Sequence, residues 1–296
     1  MTNNNLGKVT RRTLLQIGVV AALWGTASAF PAIAADNVPT LWLIGDSTMR
    51  NGTKGQQGWG DPVAQYFDPS KIRVVNRGRG GRSSRTFLNE KLWDAVLSEL
   101  KPGDYVVIQF GHNDGGPMDS GRARASIHDN GDDVKEVTIQ ETGVKEVVHS
   151  YGWYLRRYIA DTKAKGATPI VLSPVSRNAW GADGTVNRAS GDYGKWAAEA
   201  AKQGGAIFIN FNEIIARRYE ALGKEKVAPL FTDADRTHTN PAGAEINAAS
   251  FVAGIKSLSN TTLVAGLSIK AAEVEPAPMV FVTLATDTTK KEANPK

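Results

Sequence analysis

Four short segments hold the residues whose types and spacing can do chemistry: Gly45-Asp46-Ser47-Thr48, Gly80-Gly81-Arg82-Ser83, Gly111-His112-Asn113-Asp114 and Asp235-Arg236-Thr237-His238. Between them they supply a serine hydroxyl, an imidazole with a carboxylate three residues before it, and positions where backbone or amide N–H groups can face an oxyanion. Those are the components of acyl transfer through a serine. Ser47 follows a glycine that permits a tight turn, which lifts the hydroxyl to the rim of the fold; taken alone, a serine after a strand more often caps a helix. Asp235 and His238 share a face on a helical turn, so the carboxylate can accept from Nδ1–H and leave Nε2 free as a base. The Asn113 amide is a neutral donor that can hold an oxyanion without titrating; its bland reading is a turn residue. At Gly81 the missing side chain lets a backbone N–H approach a ligand.

Rival chemistries lack their patterns. The chain has no cysteine, which excludes a disulfide scaffold, a thiolate zinc site and a Cys nucleophile. It has four histidines and no His-Glu-x-x-His, so no metal site is expected. Gly-x-x-x-x-Gly-Lys-Ser/Thr and Gly-x-Gly-x-x-Gly are both absent from the glycine-rich second segment, which argues against a phosphate loop. Gly-x-Ser-x-Gly is absent throughout, which argues against an α/β-hydrolase nucleophile elbow. His112, His128 and His149 have no partner readable from the sequence and are expected to be structural or rim residues. Asp46 and Asp114 are expected to brace turns.

These segments need strands to carry them. Apolar runs at 40–44, 72–76, 105–110, 168–172 and 206–209 read as buried strands. Helical patterns lie between them, marked by Leu88 to Leu100, Val147 to Ile159, Trp196 to Ala201, Ile214 to Leu222 and Ala242 to Ile255. Strands alternating with helices predict a five-stranded parallel sheet with helices on both faces. Ligands of such sheets bind beyond the carboxyl ends of the strands, where three of the four segments fall. Residues 115–143 are polar and too long for an ordinary connection, and are expected to be a functional excursion at the edge of the site. Residues 279–284 fit an added edge strand, and the last dozen residues are expected to be disordered.

The first thirty residues differ from the rest. Arg11-Arg12 precede an apolar stretch from Leu14 to Trp24, and Ala32-Ile33-Ala34 fits a signal cleavage site. Thr10-Arg11-Arg12-Thr13-Leu14-Leu15 has the form of a twin-arginine signal, which exports folded protein; an ordinary secretory signal is the alternative. The expectation is a signal peptide over 1–34, a catalytic domain over 35–269 and a partly disordered extension over 270–296, with a periplasmic or secreted address. Lys8, Arg11 and Arg12 would leave with the leader, which has no acids, so much of the net charge of +5 belongs to it. No basic block or aromatic-basic interleaving points to nucleic acid, and no stable membrane insertion is expected after cleavage.

The four segments together resemble the SGNH, or GDSL-type, hydrolase superfamily over residues 39–257. Within it, the chain is similar to the rhamnogalacturonan acetylesterases in Gly45-Asp46-Ser47-Thr48, Gly81-Arg82-Ser83, Gly111-His112-Asn113-Asp114, the closing run 235–243 and the run 148–155. The resemblance implies a flavodoxin-like three-layer α/β/α fold, no cofactor, and removal of acetyl groups from pectin. It implies Ser47, Asp235 and His238 as catalytic residues, and Ser47, Gly81 and Asn113 as the oxyanion hole. The expected partner is an acetylated polysaccharide or oligosaccharide. The alternatives are an SGNH esterase for acetylxylan, a lysophospholipid or an aryl ester, and a non-catalytic glycan-binding protein. The latter should lack Ser, His or Asp, and this chain lacks none. A lipid substrate needs an apolar groove, whereas 115–143 is rich in Asp, Arg and Gly.

Overall fold

The computed structural model describes residues 38–188, 191–232, 235–258 and 261–284. Residues 1–37 and 285–296, where the signal and the disordered tail are expected, lie outside the described residues. In chain order the elements are β1 (Thr40–Gly45), β2 (Arg73–Asn76), α1 (Ser84–Asn89), α2 (Leu92–Glu99), β3 (Tyr105–Gln109), β4 (Val134–Thr138), β5 (Lys145–His149), α3 (Tyr151–Ala164), β6 (Thr168–Leu172), α4 (Tyr193–Gly204), β7 (Ile207–Ile209), α5 (Phe211–Leu222), α6 (Lys224–Val227), α7 (Pro241–Lys256), α8 (Thr262–Ala265) and β8 (Val282–Thr283).

The main sheet runs β2-β1-β3-β6-β7-β8. Its first five strands are parallel, and β8 pairs antiparallel with β7. With the β4–β5 hairpin set aside, the parallel strands follow the flavodoxin-like order 2-1-3-4-5. Alternation along each strand sorts the core into two layers. Leu41, Leu43, Val107, Ile170, Leu172 and Ile209 face Ile215 and Tyr219 of α5 and Phe251, Val252 and Ile255 of α7. Trp42, Ile44, Val106, Ile108 and Val171 face Phe87, Trp93, Leu155, Tyr158 and Ala197 on α1 to α4.

The sheet is six-stranded rather than five-stranded because the edge strand anticipated at 279–284 forms. Residues 270–284 do not trail from the body. Ala271, Val274, Ala277 and Val282 are buried in the α5–α7 layer. The single helix expected over 88–100 is two, broken at Lys91, whose φ of 62° is left-handed. The helix expected from Val147 begins at Tyr151 instead. Residues 145–149 pair with 134–138 as an antiparallel hairpin, and the Ser150 hydroxyl caps α3 by accepting from Trp153 N–H at 3.0 Å. The β-branched run Val147-Val148 thus serves a strand, and the cap fixes where the helix starts. Much of the polar excursion at 115–143 is therefore the approach to a hairpin.

No helix among the described residues is long and apolar enough to cross a membrane.

Candidate active site

The turn after β1 carries Ser47, and its register is set by the sheet. Gly45 pairs with Gln109 of β3, and a Cβ at Gly45 would stand 2.6 Å from the Gln109 carbonyl oxygen, so only glycine fits. The Asp46 carbonyl accepts from the N–H groups of Met49 at 3.2 Å and Arg50 at 3.1 Å, closing the turn. Its side chain accepts from Thr48 N–H at 2.8 Å and Thr48 Oγ1 at 2.7 Å. Asp46 thus braces the turn, and Ser47 does not cap a helix.

His238 arrives from the other end of the chain, on the loop before α7. Asn240 caps that helix by accepting from Gly243 N–H at 3.1 Å, and Pro241 opens it. The Ser47 Oγ lies 2.7 Å from His238 Nε2, and His238 Nδ1 lies 2.6 Å from Asp235 Oδ2. The other carboxylate oxygen accepts from the N–H groups of Thr237 at 2.7 Å and His238 at 3.0 Å. Burial pushes the Asp235 pKa up, but those N–H groups and the His238 ring outweigh it and hold the carboxyl below its usual range. An ionised Asp235 accepts from Nδ1–H, so Nε2 faces Ser47 as an acceptor.

The glycine-rich loop after β2 lies against Ser47: a Cβ on Gly80 would be 3.8 Å from the Ser47 Cβ. Gly81 has a φ of +80°, where glycine is favoured. Neither Ser47 N–H nor Gly81 N–H donates to an acceptor among the described residues. Asn113 comes from the turn after β3 and is 7% exposed. Its Nδ2 donates one proton to the Arg82 carbonyl at 2.9 Å, which fixes the amide plane and leaves the second N–H free. All five residues expected at the site are therefore on three adjacent strand-end turns and the loop before α7. If Asn113 is an oxyanion donor, Asn113→Ala should lower kcat by about 10²–10³ with KM nearly unchanged. A mutant whose only defect is a raised KM would place Asn113 in substrate binding.

Asp114 is fully buried behind this turn. It accepts from Ser84 N–H at 3.1 Å, Ser84 Oγ at 2.5 Å and Ser126 Oγ at 3.3 Å, so it ties the β3 turn to α1. Burial pushes its pKa up to about 7 against those hydrogen bonds, and the Asp46 charge adds to the rise. The native protein therefore holds a proton that the unfolded chain releases near the ordinary value of 3.8, and stability falls as pH rises from there to about 7. The loss is on the order of 4 kcal/mol across that window. Asp114→Asn cannot titrate, so the Tm advantage of the wild type over this variant should shrink between pH 5 and pH 8. A constant difference would show that Asp114 keeps one protonation state.

Several residues at the site carry no signal in the sequence. Gln56 donates to Asp235 Oδ2 at 3.1 Å and Thr232 Oγ1 at 3.0 Å, and accepts from Asn51 Nδ2 at 2.7 Å. Arg124 donates to the Gly81 carbonyl at 3.1 Å, and Arg122 Nη1 lies 3.9 Å from where a Gly81 Cβ would be. The 115–143 segment thus reaches the site and brings positive charge to it. Burial, with repulsion from Arg122, pushes the Arg124 pKa down. His149 stacks on Trp153 at 3.7 Å between ring centroids, and His128 packs edge-on against Tyr193. Among the described residues, no group of three or more His, Asp or Glu is placed to hold a metal ion.

A parallel sheet of this order, with Ser, His and Asp hydrogen-bonded in series beyond its carboxyl edge, defines an ester hydrolase without a nucleophile elbow. Residues 43–246 match the GDSL-like Lipase/Acylhydrolase family. The chain belongs to that family, and it is an esterase. It is 33% identical over 216 residues to the rhamnogalacturonan acetylesterase of Emericella nidulans, spanning 73% of this chain and 84% of the relative. It is 30% identical over 224 residues to the probable rhamnogalacturonan acetylesterase YesY of Bacillus subtilis, spanning 74% of this chain and 93% of that one. The crystal structure of YxiM from Bacillus subtilis superposes with a TM-score of 0.63 at 26% identity, over 76% of this chain and 58% of the other.

Proposed function

We propose that the protein removes acetyl groups from pectic polysaccharide, with Ser47, His238 and Asp235 as its catalytic residues. The observation that carries the chemistry is the unbroken series Ser47 Oγ, His238 Nε2, His238 Nδ1 and Asp235 Oδ2, closed by contacts of 2.7 and 2.6 Å. Ser47 Oγ attacks the acetyl carbonyl carbon while its proton passes to Nε2. Asp235 holds the imidazole and offsets the charge that forms on it. The N–H groups of Ser47 and Gly81 and the free N–H of Asn113 receive the oxyanion. Collapse breaks the bond to the sugar oxygen, which takes the proton from Nε2 and leaves. Water then gives a proton to Nε2 and attacks the acetyl-serine, and acetate departs with Ser47 restored.

The acetylated sugar is supported by the activity for which both sequence relatives are named, and by polar, arginine-bearing walls that suit a carbohydrate better than a lipid chain. The test is acetate release across acetylated pectins, acetylated xylans and small aryl esters. Release that is fastest from pectin supports the reading. Release from xylan or aryl esters alone would reassign the substrate and leave the mechanism standing.

The same reading places the enzyme outside the cytoplasm, with residues 1–34 as a twin-arginine signal, 35–269 as the catalytic domain and 270–296 as its extension. Replacing Arg11 and Arg12 with lysine should leave the precursor in the cytoplasm. Undiminished export of that variant would point to the general secretory route.

A further inference from the structure

Each candidate oxyanion donor is held by a hydrogen bond to another part of its own amide. Ser47 N–H belongs to the peptide whose carbonyl, that of Asp46, accepts from the N–H groups of Met49 and Arg50. Asn113 is fixed through its other amide proton by the Arg82 carbonyl at 2.9 Å. Gly81 N–H belongs to the Gly80–Gly81 peptide, and there the Gly80 carbonyl accepts from Arg82 Nη1 at 3.0 Å. Among the described residues, no backbone N–H donates to that carbonyl.

Arg82 is itself fixed. Its Nε and Nη2 both reach Glu90 Oε2, at 2.9 and 2.8 Å, where α1 ends. Its backbone N–H donates to the Arg79 carbonyl at 3.2 Å, and Arg124 donates to the Gly81 carbonyl at 3.1 Å. The peptide after Gly81 is thus tied at both ends by other residues, whereas the carbonyl of the peptide before it is held by the Arg82 guanidinium. That earlier peptide lies between two glycines, which offer the least resistance to rotation of its plane. In a trans peptide the C=O and N–H point in opposite directions. Arg82 Nη1 therefore lies on the opposite side of the peptide from whatever the Gly81 N–H faces.

We propose that Arg82 is a positioning residue for the oxyanion hole: its guanidinium fixes the Gly80–Gly81 peptide from behind and polarises the Gly81 N–H. The proposal rests on the reading of that N–H as an oxyanion donor. A charged donor makes a strong hydrogen bond, and hydrogen bonds in series strengthen one another, so the N–H becomes the better donor. The gain is largest where charge develops, in the transition state, and small for the neutral ester that binds first. Arg82 does this without touching the substrate.

Steady-state hydrolysis of p-nitrophenyl acetate tests the assignment. That ester is uncharged, so lost attraction to an anionic substrate cannot lower its turnover. Arg82→Met keeps an unbranched stem and removes every donor. It should lower kcat by about tenfold to a hundredfold, against about 10²–10³ for outright loss of a donor, with KM nearly unchanged. Arg82→Lys keeps a charged donor for the Gly80 oxygen and should recover most of that loss. The side chain is 32% exposed and its ion pair lies at the surface, so thermal melts should stay close to the wild type. Should the methionine variant fail to fold, Arg82→Gln takes its place with the same expected kinetics. Wild-type kcat in the donor-free variant would overturn the proposal. A raised KM at unchanged kcat would place Arg82 in substrate binding and overturn it too. Equal losses in Arg82→Met and Arg82→Lys would reduce the residue to packing, with the same consequence. Failure of the oxyanion reading is separate: it is wild-type kcat in Asn113→Ala.

Discussion

Ser47→Ala is expected to abolish acetate release while leaving the protein folded. Where a nucleophile and its base act as a unit, removing either costs roughly a million-fold in kcat. The fold should tolerate the change, because the hydroxyl is half-buried and its side-chain contact is with His238, itself on the rim. A thermal melt matching the wild type, with acetate release lowered roughly a million-fold, is the expected pair of results. A serine-reactive phosphonate should label Ser47. Ser83 and Ser84 are close by in the second segment, but both are fully buried. Ser83 is engaged in a capping box with Thr86, and Ser84 is bound to Asp114. Labelling at either of them, or substantial activity in Ser47→Ala, would remove Ser47 from the mechanism.

Asp235→Asn should lower kcat by about 10⁴ with the fold intact. An amide at this position can point N–H groups at Nδ1 and so select the tautomer that carries its proton on Nε2. That proton then faces the Ser47 hydroxyl, and no base is present. Gln56 and Thr237 remain to hold the loop, which is why stability should change little. The informative comparison is with Asp114→Asn, a second buried or half-buried carboxylate near the site. If Asp235→Asn retained wild-type kcat while Asp114→Asn lost it, the carboxylate serving His238 would have to be sought on the β3 turn.

The parallel strands were legible because each is a short apolar run that ends in glycine or a turn, a pattern that a fully buried strand requires. Three of the candidate site residues, Ser47, Gly81 and Asn113, were legible for a related reason: they stand at strand ends, where the chain leaves the core, while the spacing of Asp235 and His238 marked that pair. What stayed hidden depends on contacts between distant segments. Gln56 reads as an ordinary loop amide, and only folding brings it 3.1 Å from Asp235. Arg177 lies in the long connection after β6, with nothing in its spacing to bring it 3.5 Å from His112. The break at Lys91 was missed because the apolar spacing of Leu88, Leu92 and Val96 runs straight through it. The hairpin of β4 and β5 was missed because its exposed strands carry charges among their valines, which blurs the alternation.

The bond between Ser47 and His238 joins residues 191 positions apart in the chain. One lies on the first strand-end turn and the other just before the last long helix, so the pair meets only when nearly every element between them is in place. Such long-range closure is slow, because loop entropy is lost before the contacts that repay it exist. Recovery of esterase activity after dilution from denaturant should therefore lag behind the return of helical circular dichroism. A fragment ending before α7 should have no activity, however much of its sheet it retains. Turnover in this enzyme counts completed molecules.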